Sequence, residues 1–76
     1  MPKLVISQKN FIGILQEYGF YHKRTHSSHQ TWEGFHHNKK WLVQVDTNYN
    51  PYSGWLLNSM IRQSGLDKRI FIEFKK

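Results

Sequence analysis

Hydrophobic residues near the start of the chain recur three or four positions apart, which predicts an amphipathic helix from Ser7 to Tyr18. Ser7 suits the N-cap because its hydroxyl can accept an otherwise unpaired backbone N–H of the first turn. Gly19 suits the other end, since glycine readily takes the left-handed conformation that ends many helices. The predicted buried stripe of this helix is Phe11, Ile14, Leu15 and Tyr18.

The middle of the chain is rich in aromatic residues and, in its last part, alternates between hydrophobic and polar positions, which predicts β-strands. The predicted strands are residues 20–25, 28–33 and 41–46. A turn near His26 and Ser27 would join the first two, and segment 34–38, which contains glycine and asparagine, would join the next two. We expect at least one of Trp32 and Trp41 to pack in the core.

A second helix is predicted over residues 54–64, with Ser53 as its N-cap and Gly65 as its C-terminal stop. Its predicted buried stripe is Leu57, Met60 and Ile61. The segment from Asp67 to Lys76 fits two interpretations. It alternates like a strand, yet Asp67 could cap a short helix, and we favour the helix.

These elements predict an α+β fold in the order α-β-β-β-α, followed by a short C-terminal helix. A three-stranded antiparallel sheet would have two helices on one face, and its other face would stay open. The chain has 76 residues, so we predict one domain over residues 1–76. This length excludes a TIM barrel and a dinucleotide-binding enzyme with a separate substrate domain.

Composition narrows the function classes. Eleven Lys and Arg against five Asp and Glu give a formal charge of +6, which favours a polyanionic partner, either nucleic acid or an acidic protein. The absence of cysteine excludes a disulfide framework, a cysteine-based zinc site and a thiol nucleophile. No apolar run approaches a membrane span, and no hydrophobic signal segment follows Met1. We therefore expect a cytoplasmic protein with no membrane partner.

The five histidines allow three interpretations. Metal binding is the least favoured, because a zinc site needs converging ligands and these histidines fall on predicted strands and turns. For His22, His36 and His37 we favour ordinary solvated side chains.

The third interpretation assigns acid–base chemistry to His29. With the predicted turn, Arg24 would lie directly opposite His29, and paired side chains are about 5 Å apart. Arg24 would disfavour the protonated imidazole and could also bind a phosphate. Such a histidine could take the proton of an RNA 2′-hydroxyl or protonate the leaving 5′-oxygen, without a metal or cofactor.

A Ser-His-Asp hydrolase is a weaker alternative. Ser27 and Ser28 lie beside His29 in the sequence, but no nucleophile elbow surrounds them. Asp46 is the nearby acid, and we expect it simply to end the third strand.

Two pairs of basic residues, Lys23–Arg24 and Lys39–Lys40, flank the predicted strands and are interleaved with aromatic residues. Cations and rings on an open sheet face suit RNA, whose bases stack on aromatic side chains. Further basic residues lie in the tail: Lys68, Arg69, Lys75 and Lys76.

Three motifs follow one another along the chain. They are Leu15-x-x-Tyr18-Gly19-Phe20, Ser28-His29-x-x-Trp32, and the stretch from Leu57 to Leu66 with its Arg62-Gln63-Ser64-Gly65-Leu66 ending. In order and spacing they resemble the HicA toxins of bacterial toxin–antitoxin pairs. Members of that family typically have a helix ending in Gly-Phe, a Gly-Ser-His segment followed by an aromatic residue, and a second helix ending in Arg-Gln-x-Gly-Leu.

The resemblance implies a double-stranded-RNA-binding-like fold and ribosome-independent mRNA cleavage with His29 as the catalytic residue. It also implies a short third helix and a cognate HicB-type antitoxin that covers the histidine. The chain departs from the family at Ser27, where a family glycine would adopt a positive φ without strain. The loop over residues 46–51 lacks the Pro-x-His that the family often has.

We therefore predict an mRNA endonuclease that uses His29 as general acid or base and needs no metal or cofactor. The predicted RNA-binding residues are Lys23, Arg24, Ser28, Lys39 and Lys40. The predicted partners are mRNA and a HicB-type antitoxin. A non-catalytic RNA-binding module and a protein that docks an acidic partner remain as alternatives.

Overall fold

The structure is a computed structural model that describes residues 4–74. It is a small α+β fold with eight elements in the described residues. In chain order these are β1 (Val5–Ile6), α1 (Gln8–Glu17), β2 (Tyr21–His26), β3 (His29–His36), β4 (Lys39–Asp46), β5 (Tyr52–Ser53), α2 (Gly54–Ser64) and α3 (Lys68–Ile72). The basic residues Lys75 and Lys76 lie outside the described part of the chain.

The main sheet is antiparallel with strand order β2-β3-β4, which confirms the predicted three-stranded sheet. A second, two-stranded sheet pairs β1 with β5 and was not predicted. Each of its strands has only two residues, so no alternating pattern can develop. This small sheet fastens the start of α1 beside the start of α2.

The helices cover one face of the main sheet and enclose the hydrophobic core. Trp32 is 6% exposed and belongs to this core, as expected for at least one of the two tryptophans. The other core residues on helices and on the main sheet are Phe11, Ile14, Leu15, Val43, Val45, Leu57, Met60, Ile61 and Phe71. The prediction for Tyr18 was wrong: as the C-cap of α1 it has left the helical stripe and is 45% exposed.

The ends of the helices agree closely with the capping pattern. The backbone N–H of Asn10 donates to the Ser7 hydroxyl over 3.1 Å at the start of α1. Gly65 follows α2 with a φ of 70°, and a Cβ there would lie 2.6 Å from the Trp41 ring, so only glycine fits. Ser53 occupies the N-cap position of α2, but its side chain makes no capping hydrogen bond.

The helical interpretation of the tail is confirmed, and its strand alternative is wrong. Asp67 caps α3 by accepting the backbone N–H of Arg69 over 2.9 Å. The helix buries Phe71, whose ring stacks on Phe11 with centroids 5.2 Å apart. A strand would have buried every second residue instead.

The second connection of the sheet differs from its prediction. Residues 34–36 belong to β3, and the turn consists of His37 and Asn38 alone. Both have positive φ, 54° and 58°, as a type I′ turn requires. Gly34 had indicated a turn, but it lies in the strand because the Phe20 ring occupies the space of a side chain: a Cβ would lie 2.7 Å from that ring.

The first connection is displaced by one residue from its prediction. The turn consists of Ser27 and Ser28 rather than His26 and Ser27, so β2 extends through His26. Ser27 has a φ of 58°, the left-handed conformation for which glycine is preferred. This shift changes which side chain faces His29.

No helix in residues 4–74 is both long enough and apolar enough to cross a membrane.

Candidate nucleic-acid site on the open sheet face

Side chains of β2, β3 and β4 that point away from the helices form a surface that we call the open face. On β4, Val43 and Val45 are buried under the helices, so the residues between and beside them point the other way. The strand register extends this face to β3 and β2. Its members are Tyr21, Lys23, Arg24, His26, His29, Thr31, Glu33, Phe35, Lys40, Leu42, Gln44 and Asp46.

His29 lies on the open face between two titratable neighbours. It is paired with His26 of β2 on one side and with Asp46 of β4 on the other. The predicted pairing of Arg24 with His29 was wrong, because the turn lies one residue later than predicted. Arg24 pairs with Thr31 instead, which makes it a diagonal neighbour of His29 at about 7–8 Å.

Asp46 is the closest charged partner of the His29 ring. The distance from His29 Nε2 to Asp46 Oδ2 is 3.5 Å, which is an ion-pair distance rather than a good hydrogen bond. The other carboxylate oxygen of Asp46 accepts the backbone N–H of Asn48 over 2.9 Å, so the side chain is held in place. The His29 side chain is 51% exposed and open to a ligand.

The backbone around His29 is tied to the loop that follows β4. The carbonyl oxygen of Ser28 accepts two hydrogen bonds from Thr47, one from its backbone N–H over 2.8 Å and one from its hydroxyl over 2.9 Å. Ser28 therefore anchors the first turn directly beside His29. A histidine on a fixed strand end is better placed for acid–base chemistry than one on a free loop.

Lys23 is on the open face but is already paired. Its ammonium group lies 2.8 Å from Glu33 Oε1, and the Tyr21 hydroxyl donates to Glu33 Oε2 over 2.8 Å. These hydrogen bonds, first from Lys23 and then from Tyr21, hold the pKa of Glu33 below its usual range. The same carboxylate raises the pKa of Tyr21, mainly through the hydrogen bond. Glu33 thus offsets one of the positive charges of the face.

The two lysines of β4 point in opposite directions. Lys39 stacks over Trp41 with its nitrogen 4.5 Å from the ring centroid, and Trp41 faces the helices, so Lys39 is not brought to His29. Lys40 shares the open face with His29 but pairs with Phe35, six residues along the strand from Asp46. Lys40 is therefore about 20 Å from the paired residues His26, His29 and Asp46, which we call the His29 row. It could contact only a distant part of a nucleic-acid strand that binds at this row.

The remaining histidines have different surroundings. His36 donates from Nε2 to the carbonyl oxygen of Ser64 over 2.9 Å and stacks on Trp41, so its interpretation as a solvated side chain was wrong. His22 and His37 are exposed, and His22 Nε2 lies 2.6 Å from the Thr25 hydroxyl. Within residues 4–74, no three His, Cys, Asp or Glu side chains are placed to hold a metal ion together.

Sequence reasoning missed His26 as a neighbour of His29, and it named Asp46 as the nearby acid but expected it only to end the third strand. In the structure each is paired with His29. Both follow from the two turns: a two-residue turn at 27–28 pairs His26 with His29, and one at 37–38 pairs His29 with Asp46. The signal in the sequence was the length of each turn, because the position of a two-residue turn determines which residues pair along both strands that it joins.

No protein-family model, curated protein or solved structure matches this chain.

Proposed function

We propose that this protein is an RNA endonuclease of the HicA toxin type, with a double-stranded-RNA-binding-like fold and His29 as its general acid or base. One observation supports this most strongly: His29 lies half-exposed on an open, aromatic and basic sheet face, between His26 and the carboxylate of Asp46. The +6 charge of the chain suits a polyanionic substrate.

The chemistry needs no group other than the RNA and the side chains of this row. The 2′-hydroxyl attacks the adjacent phosphorus, which forms the O2′–P bond and breaks the P–O5′ bond. One base must take the 2′ proton, and one acid must protonate the departing 5′-oxygen. His29 and His26 supply two imidazoles on neighbouring strands for these two transfers.

Asp46 supports this chemistry as a positioning residue. A carboxylate beside an imidazole fixes the ring orientation and tautomer, as in other acid–base sites. The 3.5 Å separation can shorten when substrate binds, since catalytic contacts are often loose without it. Arg24, diagonal to His29, then supplies a cation for the scissile phosphate.

The proposed partners follow from the same function. The substrate is mRNA, so the protein acts in the cytoplasm, and a cognate HicB-type antitoxin covers the His29 side of the open face. Exposed Tyr21 and Phe35, at 53% and 70%, lie toward the other end of this face and offer further apolar area that an antitoxin could bury.

The test is cleavage of single-stranded RNA in EDTA by the native protein and by His29→Ala. Native protein is expected to cut, and the variant to lose about 10²–10⁴-fold in rate. His22→Ala is the matched control, because His22 is exposed on β2 outside the row. Cutting that survives in His29→Ala sinks the catalytic assignment, and cutting that EDTA abolishes argues for a metal enzyme.

A non-catalytic RNA-binding module is the second candidate. The exposed rings of Tyr21 and Phe35 favour it, because base stacking on such rings does not depend on His29. Native protein that binds RNA but leaves it intact would support this alternative.

A further inference from the structure

A cavity of about 320 Å³ adjoins the His29 row at Asp46. It is lined by Asp46, Tyr49, Pro51, Ser53, Trp55 and Leu56. Small-molecule pockets span about 300–1,000 Å³, so this one is at the lower end, in the range of a fragment such as one nucleoside. Asp46 contributes to both places: it lines the cavity and its Oδ2 lies 3.5 Å from His29 Nε2.

The rings of this cavity are unusually open to solvent. Trp55 is 80% exposed, the most exposed of the large hydrophobic side chains in the described part of the chain, and Tyr49 is 53% exposed. Neither ring belongs to the core, so packing does not account for them. Exposed aromatic side chains are the surfaces on which unpaired bases stack.

The charge of the cavity indicates which part of a nucleotide fits. Asp46 is the charged residue among the six that line it, and an anionic wall repels a phosphate. A carboxylate accepts hydrogen bonds and cannot donate them, so it suits the amino and imino N–H groups of a base edge. Uracil fits poorly, because its single N–H lies between two carbonyl oxygens that would face the carboxylate.

We propose that this cavity is a nucleobase subsite that stacks one base on Trp55 and Tyr49 and selects bases with an amino group over uracil through Asp46. This inference rests on the proposed function, because a base held there would place a neighbouring phosphate beside His29. The Ser53 hydroxyl makes no capping hydrogen bond and offers the base a second polar contact.

Binding, rather than cleavage, tests the subsite. Short oligonucleotides of adenine, cytosine or uracil carry 2′-O-methyl groups, which remove the nucleophile, and fluorescence anisotropy at one salt concentration gives their affinities. We expect the adenine and cytosine strands to bind about 5- to 150-fold more tightly than the uracil strand. Trp55→Leu is expected to weaken the adenine and cytosine strands by about the same factor.

Three variants sharpen this test. Tyr18→Leu removes another exposed ring, at the C-terminus of α1 outside this cavity, and is expected to leave all affinities unchanged. Trp55→Phe keeps a ring and should retain most of the affinity. Asp46→Asn adds a donor to the wall and should reduce the discrimination against uracil. Circular dichroism melting curves confirm that each variant is folded.

The outcomes separate the subsite from the endonuclease. Equal affinity for uracil and cytosine strands, native-like affinity of Trp55→Leu, or no binding of any strand overturns the subsite. Native protein that binds with the expected preference but never cuts unmodified RNA upholds the subsite and overturns the endonuclease. If Trp55→Leu cleaves RNA with the native pattern and binds the oligonucleotides with native affinity, the endonuclease is upheld and the subsite is overturned.

Discussion

The two turns of the main sheet have the same length, and each lies next to a histidine of β3. These two histidines, His29 and His36, nevertheless have different surroundings. Ser27 and Ser28 form the first turn between His26 and His29, and the second turn lies between His36 and Lys39. At the first turn, both flanking histidines are exposed on the open face. At the second, His36 packs against Trp41 and bonds to α2.

Strand parity explains this difference. His29 and His36 lie seven positions apart on the same strand, and an odd separation puts two side chains on opposite faces of a sheet. One histidine therefore remains available for a ligand, and the other becomes part of the structure. Residue type alone does not distinguish a histidine that is open to a ligand from one that is part of the structure, but its position in the register does.

His26→Ala removes a histidine beside the first turn and has the largest expected effect, which is on the cleavage rate. If His26 handles one of the two proton transfers, the cleavage rate falls about 10²–10⁴-fold. One limb of the pH–rate profile should also disappear, which a purely structural role would not cause. His26 is exposed, so the free energy of unfolding should not change.

The matched control for His26→Ala lies in the second turn. His37→Asn keeps a residue that tolerates the positive φ of 54° at that position. Its cleavage rate should equal that of the native protein. A native rate and an unchanged pH profile in His26→Ala would remove His26 from the mechanism and leave His29 without an imidazole partner.

His36→Ala removes the histidine beside the second turn and is expected to affect the stability of the fold instead of the cleavage rate. It removes a hydrogen bond to the Ser64 carbonyl, worth about 0.5–1.5 kcal/mol, and a ring stacked on Trp41, worth a similar amount. Urea denaturation should therefore show a loss of about 1–3 kcal/mol. The cleavage rate per folded molecule should be unchanged, and a selective loss of cleavage would contradict the structural role.

Ser27→Gly tests why the first turn has its present shape. A left-handed φ costs a non-glycine residue about 1–2 kcal/mol, and glycine at position 27 would remove this cost. Glycine also has more freedom in the unfolded chain, which lowers the free energy of unfolding by about 0.4–1 kcal/mol and offsets part of the gain. We expect a net stabilisation of about 0.5 kcal/mol with no change in cleavage. Asn38→Gly in the second turn is the control, and it should gain less, because asparagine tolerates positive φ. Destabilisation by Ser27→Gly would contradict strain at Ser27.

The helices could be predicted closely from the sequence because their ends depend on local chemistry. Gly65 predicts the end of α2 and Asp67 the start of α3, and both residues have these positions in the structure. The sheet register could not be predicted as well. It depended on Ser27 accepting a conformation that favours glycine, and on Gly34 lying within a strand to make room for Phe20. These requirements arise from tertiary contacts that no local pattern encodes.

The candidate site inherited that error in register. His29 was chosen as the candidate from the sequence, but the neighbour assigned to it was a cation, and the structure has an acid and a second histidine there. A shift of one residue in a turn changes every pair that follows it, although the list of residues on the strands hardly changes.

Glu33, midway along β3 between the two turns, gives the smallest expected effect and tests whether catalysis belongs to the first turn alone. Glu33→Gln frees the charge of Lys23 from its 2.8 Å ion pair. RNA affinity should rise, and the salt dependence should steepen by about 0.7 in logarithmic slope, as for one added phosphate contact. The cleavage rate at saturating RNA should stay the same, because neither imidazole moves.

The pH dependence of folding checks the same ion pair. The pKa of Glu33 is lowered in the fold, so its contribution to stability is present above the ordinary carboxyl pKa and is lost as the pH falls through the lowered value. The pKa of Tyr21 is raised, so its hydrogen bond contributes below the ordinary phenol pKa and is lost as the pH rises through the raised value. Melting curves should therefore show that Glu33→Gln loses less stability than the native protein at both low and high pH. Identical pH profiles would mean that Lys23 is already available to RNA, and Glu33→Gln should then leave the salt slope unchanged.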